Sequence, residues 1–203
     1  MQHTHHKAWV DRARGVRVHY VEAGNGPKVV LLIHGAPQTW WAWRHTIEPL
    51  VAAGYRVIVP DYRGAGDSSK PRDGFDKWTM AGDLHHVVHE AAGVQGPVSV
   101  VGHDLGATVA LAYALRYRDD VVSLTASLTT SPTTPRRSRR TTSTATPAPS
   151  RRLGRCGVCL RSTALSTTTP ASIVRRLNAT ESSRSRCWPP AAAPKRSRAT
   201  TRR

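Results

Sequence analysis

The chain has 203 residues and a formal net charge of +17, but the charge is unevenly placed. Residues 1–122 carry 13 Lys and Arg against 12 Asp and Glu, whereas residues 123–203 carry 17 against one. No segment approaches the ~18 consecutive apolar residues of a membrane span, and residues 1–10 lack the apolar stretch of a signal peptide. We therefore expect no membrane partner and a cytoplasmic location.

The first 60 residues alternate strand and helix patterns. Residues 16–20 alternate apolar and polar side chains, which predicts a half-buried strand. The continuous apolar run 29–33 predicts a strand that is covered on both faces, and residues 55–59 predict another buried strand. A helix over 40–53, ended by Gly54, fits between them. This order predicts parallel β-α-β packing.

The same rhythm continues to about residue 122. Apolar residues at helical spacing predict a helix over 79–92, and a buried strand follows at 98–101. A second helix is predicted from Ala107 to about Tyr117. Val121 and Val122 begin what we expect to be another strand.

The segment Gly102-His103-Asp104-Leu105-Gly106 joins the strand at 98–101 to the following helix. A strand that turns at once into a helix around a small-X-nucleophile-X-small sequence is the pattern of a nucleophile elbow. Here Asp104 occupies the nucleophile position. Its carboxylate is ionised at neutral pH and needs no base before it attacks an sp³ carbon. We expect Gly102 and Gly106 to be small because the helix passes close to the strand.

Hydrolysis of the resulting ester would develop an oxyanion, which requires fixed N–H donors. In such an elbow one donor is the backbone N–H of the residue after the nucleophile, here Leu105. The second comes from the loop after an earlier strand, which places it at Ala36. We expect the neighbouring His34, Gly35 and Pro37 to shape this loop.

Three motifs in this order carry a family resemblance: His34-Gly35-Ala36-Pro37, the turn-rich loop over 61–71, and the elbow. Over residues 8–124 the chain resembles the α/β-hydrolase superfamily and most resembles its epoxide hydrolase branch. The resemblance implies an α/β-hydrolase fold, whose mostly parallel, eight-stranded sheet is flanked by helices. It also implies an epoxide and water as substrates, opening to a diol through an ester on Asp104, and no cofactor.

Two neighbouring branches use the same aspartate. Haloalkane dehalogenases usually have Asn and Trp at the positions of Ala36 and Leu105, where they hold the leaving halide. Haloacetate-type dehalogenases usually have Arg at the positions of Leu105 and Val109, where they bind a carboxylate. Because neither clamp is present, a neutral epoxide is favoured, and a dehalogenase of the same fold is the alternative.

The rest of the family's catalytic set is not matched. Epoxide hydrolases normally use two tyrosines of a cap domain as acids that protonate the opening ring. They also use a histidine and an acidic residue, from loops late in the chain, to activate water. This chain has no tyrosine after Tyr117 and no histidine after His103. We interpret His103 and His34 as structural, and we expect the chain as written to be inactive.

Two other groupings resemble metal ligands. His85 and His89 are four residues apart on one predicted helix face, and no carboxylate is placed with them in the sequence. We therefore interpret them as part of a solvated face. Cys156 and Cys159 have zinc-like spacing without a second pair, which we interpret as coincidence. No metal site is predicted.

We divide the chain into an α/β-hydrolase part, residues 1–124, and a basic low-complexity tail, residues 125–203. No helical or strand period persists after about Ser123, and the tail is expected to be disordered or translated out of frame. A second hypothesis is an inactive hydrolase-like fragment whose arginine clusters bind nucleic acid or other polyanions without sequence specificity.

Overall fold

A computed structural model describes residues 3–127 and 170–187 of the chain. The elements follow one another in this order: β1 (Thr4–Asp11), β2 (Val16–Ala23), β3 (Lys28–Ile33), a 3₁₀ turn (Trp40–Trp43), α1 (Arg44–Ala52), β4 (Tyr55–Asp61), α2 (Lys77–His86), a π turn (Val87–Ala91), β5 (Val98–His103), α3 (Leu105–Arg116), a 3₁₀ turn (Arg118–Asp120), β6 (Val121–Ser127) and α4 (Pro170–Cys187).

The described strands form one sheet in the order β1-β2-β4-β3-β5-β6. Strands β4, β3, β5 and β6 are parallel, whereas β1 and β2 are antiparallel to their neighbours. The predicted mostly parallel α/β architecture is therefore confirmed. In the β3–β5 register Ile33 lies opposite Gly102. Both strands thus end at the same sheet edge, which brings the loop after β3 beside the elbow after β5.

Helices cover both faces of the sheet, which explains the continuous apolar run at 29–33. Leu31 and Ile33 of β3 pack in a layer with α2 and α3. Val30 and Leu32 point to the other face and pack in a layer with α1 and α4. Successive side chains of a strand point to opposite faces, so a strand between two helix layers favours apolar residues at successive positions.

The structure differs from the predicted elements in three places. Strand β1 was not predicted, because most of its side chains are polar and only Ala8 is buried in the core. The helix predicted over 40–53 is divided into a 3₁₀ turn and α1. The helix predicted over 79–92 begins earlier, at Lys77, and ends in a π turn.

Helix α4 lies in the tail, where no helical period was expected, and that expectation was wrong for this segment. Ile173 and Leu177 are each only 2% exposed and pack in the layer that contains α1. The Tyr55 hydroxyl also donates a hydrogen bond to Oδ1 of Asn178 at 2.9 Å. An arginine- and serine-rich composition concealed this short apolar stripe.

The predicted boundary after residue 124 falls inside β6, which ends at Ser127. The other tail residues, 128–169 and 188–203, lie outside the described residues. Their expected disorder, their translation out of frame and the Cys156–Cys159 spacing all stay predictions. In the described part of the chain, no helix combines the length and the apolar character needed to cross a lipid bilayer.

Leu177→Ala tests whether α4 is part of the core. Removing a fully buried leucine side chain leaves a cavity, so we expect the free energy of unfolding to fall by about 2–4 kcal/mol. Arg175→Ala, at an exposed position of the same helix, is the matched control and should change it by less than about 0.5 kcal/mol. Urea unfolding followed by circular dichroism measures both. Equal values for the two variants would show that α4 does not pack on the sheet.

Candidate active site

Asp104 lies at the junction of β5 and α3 with φ 52° and ψ −121°. It is the only non-glycine residue with positive φ in the described part of the chain. Such a conformation costs on the order of 1–3 kcal/mol and persists only where the surroundings enforce it. Here the Asp104 N–H donates to the carbonyl of Ser127 at 2.8 Å, which anchors the turn to the end of β6.

The two elbow glycines are required by close backbone approach. A Cβ on Gly102 would collide with the backbone of Gly106 and Ala107. A Cβ on Gly106 would collide with the carbonyl oxygens of Ile33 and His34. Side chains at these positions would therefore separate β5, α3 and the end of β3, and the elbow could not form.

The Asp104 carboxylate accepts a hydrogen bond from one of the two backbone donors that the sequence predicts, and the second donor is on the next residue. The Ala36 N–H donates a hydrogen bond to Oδ2 of Asp104 at 3.0 Å. This hydrogen bond, and to a smaller extent the Leu105 N–H, lower the pKa of Asp104 below its usual value. The carboxylate also lies at the N-terminus of α3, where the helix dipole favours negative charge. The arrangement therefore stabilises negative charge on the Asp104 oxygens.

The Ala36 N–H is oriented by contacts on the far side of its own peptide group. The Gly35 carbonyl belongs to that peptide and accepts hydrogen bonds from His34 Nδ1 at 2.8 Å and from the Tyr62 hydroxyl at 3.1 Å. Because C=O and N–H point in opposite directions across a trans peptide, two donors on the oxygen fix the direction of the N–H. His34 and Tyr62 thus aim the Ala36 N–H at Asp104.

His34 is fully buried, and its ring stacks on Tyr62 with 4.1 Å between centroids. Burial lowers the pKa of His34, so the ring is neutral at pH 7. Its Nε2 has no hydrogen-bond partner among the described residues and lies 3.7 Å from Oδ1 of Asp61. Burial likewise raises the pKa of Tyr62, to about 12, so its hydroxyl keeps the proton that it donates.

The other supporting residues also lie around the elbow. Gly35 faces Asp104 so closely that a Cβ there would lie 2.8 Å from the Asp104 Cβ. Pro37 follows Ala36 through a cis peptide bond and lines the adjacent cavity. His103 is half-buried, with Nδ1 3.4 Å from the carbonyl of Ser127.

Asp61 at the end of β4 is the buried acceptor beneath this loop. His19 Nδ1 contacts its Oδ2 at 2.8 Å, and the Trp40 N–H donates to its Oδ1 at 2.7 Å. Burial by itself raises the pKa of Asp61, but the hydrogen bonds from His19, Trp40 and Asp67 outweigh it and leave that pKa below its usual value. Asp61 therefore joins β2, the segment after the Ala36 loop and the loop at 61–71.

A second buried contact holds the 61–71 loop against α2. Arg63 Nε and Nη2 donate to the two carboxylate oxygens of Asp83 at 2.6 and 2.7 Å. The Asp83 carboxylate raises the pKa of Arg63, so the guanidinium stays charged. This pair fixes the wall of a cavity of about 380 Å³ beside the two donors, lined mainly by Ala36, Tyr62, Phe75, Met80 and Leu105.

Sequence reasoning missed the roles of Tyr62, Asp61 and the Arg63–Asp83 pair. In the sequence the 61–71 loop carries only a family resemblance, although an aspartate directly after a buried strand is a signal that points to Asp61. The statement that no carboxylate accompanies His85 was wrong, because Asp120 Oδ2 lies 3.0 Å from its Nε2. Residues 35 positions apart in the chain gave no pattern that could show this pair.

A family model described as the alpha/beta hydrolase fold matches residues 28–151, more than half of the chain. The chain therefore belongs to the α/β-hydrolase fold family. Within it, the chain is similar to epoxide hydrolases over part of its length. It is 48% identical over 121 residues to the soluble epoxide hydrolase of Corynebacterium sp. (strain C12), covering 60% of this chain and 40% of that protein.

Other epoxide hydrolases are similar to this chain over a comparable part of their length. Epoxide hydrolase A of Mycobacterium tuberculosis is 40% identical over 118 residues, covering 55% of this chain and 35% of that protein. The ligand-free structure of the epoxide hydrolase CorEH is 44% identical, with a TM-score of 0.57 over 62% of this chain and 42% of that one. An epoxide hydrolase from Vigna radiata is 32% identical, with a TM-score of 0.56 over 62% and 38% of the two chains. The chain thus spans about 40% of such relatives.

Asp61→Asn tests the network under the Ala36 loop. The amide cannot accept from all the donors around it, so we expect the free energy of unfolding at pH 7 to fall by about 1–3 kcal/mol. Because folding lowers the pKa of Asp61, its contribution is complete above the unfolded value, near pH 4, and is lost as the pH falls through the folded value. The stability of the parent chain should therefore fall more steeply than that of the variant below about pH 4.

The matched control is Asp67→Asn, since the side chain of Asp67 is exposed and only its backbone N–H reaches Asp61. Urea unfolding at pH 3, 5 and 7 measures all three proteins. Parallel pH profiles for the parent and Asp61→Asn would contradict the assigned role of Asp61.

Proposed function

We propose that residues 3–127 form the nucleophile-bearing part of an epoxide hydrolase, with Asp104 as the nucleophile. The observation that carries this proposal is the hydrogen bond from the Ala36 N–H to Oδ2 of Asp104, with the Leu105 N–H next to the same carboxylate. The likeness to epoxide hydrolases supports the substrate class.

The geometry divides the work between the two carboxylate oxygens. Oδ2 accepts from Ala36, so Oδ1 is the oxygen that attacks a ring carbon of the epoxide. One C–O bond forms to Asp104 as one ring C–O bond breaks, and the ring oxygen takes a proton from water. Oδ2 then becomes the carbonyl oxygen of the ester. It already lies in the oxyanion hole in which the charge develops when water attacks the ester.

Two further groups are needed for turnover: an acid for the ring oxygen and a base for the attacking water. Tyr62 lines the cavity, but its hydroxyl is hydrogen-bonded to the Gly35 carbonyl. No tyrosine follows Tyr117 and no histidine follows His103 in this chain. We therefore propose that these residues support formation of the ester but not its hydrolysis, so that this chain is inactive as a catalyst.

A dehalogenase of the same fold is the second candidate, because an aspartate nucleophile also displaces halide. The positions that would bind a halide or a carboxylate hold Ala36, Leu105 and Val109, and Val109 is fully buried in the core. A neutral substrate therefore remains favoured. In the basic tail, 17 Lys and Arg residues stand against one acidic residue. This charge supports non-specific polyanion binding as a separate proposal.

Mass spectrometry after incubation with styrene oxide tests the nucleophile. Because addition to Asp104 loses no atoms, we expect the intact mass to rise by one whole epoxide, and peptide mapping should place the adduct on Asp104. The adduct should persist, since no base activates water. Chloroalkane in place of epoxide should give less adduct and little released halide.

Asp104→Asn should abolish this adduct, while Asp73→Asn, at a carboxylate that is 74% exposed, should leave it unchanged. An adduct that is equal in Asp104→Asn and the parent would contradict the assignment of the nucleophile. Diol formation that depends on Asp104 would keep the nucleophile but overturn the proposed lack of turnover.

A further inference from the structure

His85, His89 and Asp120 form a cluster that the proposed reaction does not use. His85 is in the last turn of α2, His89 is in the π turn that follows, and Asp120 immediately precedes β6. Strands β5 and β6 are parallel, and Val98 pairs with Val121 at their starts. Asp120 therefore lies at the opposite sheet edge from Asp104, which follows the end of β5.

The three side chains converge on one point. One potential ligand atom from each lies within 4.8 Å of those of the other two. His85 Nε2 and Asp120 Oδ2 are already 3.0 Å apart. A tetrahedral ion with ligands at about 2.0–2.2 Å separates them by roughly 3.3 Å. A movement of the His89 ring by about 1–2 Å is thus enough to bring all three ligand atoms to the distances of a tetrahedral site.

His89 has the hydrogen bond that is typical of a metal-binding imidazole. Its Nδ1–H donates to the backbone carbonyl of Val94 at 3.0 Å. Metal-ligating histidines usually donate their other ring N–H to such an acceptor, which fixes the tautomer and the ring orientation. Nε2 is therefore the nitrogen that is left for a ligand, and only the Tyr113 hydroxyl lies near it, at the long distance of 3.4 Å.

Aromatic neighbours hold the cluster in place and leave one side open. The His85 ring stacks on Tyr117 with 3.8 Å between centroids and an interplanar angle of 19°. The side chains of His85 and Asp120 are 26% and 38% exposed, so an ion can enter from solvent. Burial keeps the pKa of Tyr113 above its usual value, so its hydroxyl is a neutral neighbour rather than an anionic ligand.

We propose that His85, His89 and Asp120 bind a divalent transition-metal ion of the zinc type, with water as the fourth ligand. Two imidazoles and one carboxylate suit Zn²⁺, Co²⁺, Ni²⁺ and Cu²⁺ and disfavour Mg²⁺ and Ca²⁺, which prefer oxygen ligands. The ion would join the end of α2 to the start of β6 and stabilise the folded chain. An ordinary His85–Asp120 contact does not account for the position of His89, whose ring centroid lies 4.4 Å from that of His85.

Titration with Co²⁺ tests the site in the full-length chain. The substitutions Cys156→Ser, Cys159→Ser and Cys187→Ser are made in the parent and in every variant, so that thiolates do not compete. We expect one equivalent of Co²⁺ to bind, with visible d–d bands, and Zn²⁺ to displace it. His85→Gln, His89→Gln and Asp120→Asn should each weaken binding by at least about tenfold.

His45→Gln and Asp119→Asn are the matched controls, since both positions are exposed and neither belongs to the cluster. Zn²⁺ should raise the unfolding midpoint of the parent and of both controls but not that of the cluster variants. Circular dichroism identifies any variant that fails to fold. The cluster variants that do fold then show whether metal binding depends on these three side chains. Absence of saturable Co²⁺ binding in the parent, or equal binding by cluster and control variants, would overturn the proposal.

Discussion

The site depends on the orientation of one peptide group, that between Gly35 and Ala36. Its carbonyl accepts from His34 and Tyr62, and its N–H donates to Asp104 on the opposite side. A negatively charged oxygen needs donors that are fixed before the charge develops, because reorienting them during the reaction would cost free energy. The buried His34 and Tyr62 provide that fixation, and neither side chain needs to take part in chemistry.

The loops that surround this peptide are held by buried charges. The Asp61 carboxylate is hydrogen-bonded to His19 and to the backbone N–H of Trp40. The Arg63–Asp83 pair connects the following loop to α2. A buried carboxylate is stable only when its oxygens accept enough hydrogen bonds, so each of these contacts constrains the others. The polar network therefore sets the geometry of loops that apolar packing alone would leave free.

The sequence predicted the parallel sheet and the elbow, because both follow from local patterns such as the apolar run ending at Ile33 and the glycines flanking Asp104. The Ala36 and Leu105 donors followed from the same elbow. The contacts of Tyr62 and of Asp120 could not be predicted, because each joins segments far apart in the chain. Helix α4 was missed because Ile173 and Leu177 lie in a segment whose composition is polar.

Carbon-13 NMR titration of the Asp104 carboxyl, assigned with Asp104→Asn, measures whether the backbone donors stabilise the charged form of this carboxylate. If the Ala36 and Leu105 N–H groups hold this carboxylate, its pKa lies below the usual aspartate value. Tyr62→Phe removes one donor from the Gly35 carbonyl, and the pKa of Asp104 should then rise toward that value. A pKa at or above the usual value in the parent chain, unchanged in Tyr62→Phe, would contradict the account.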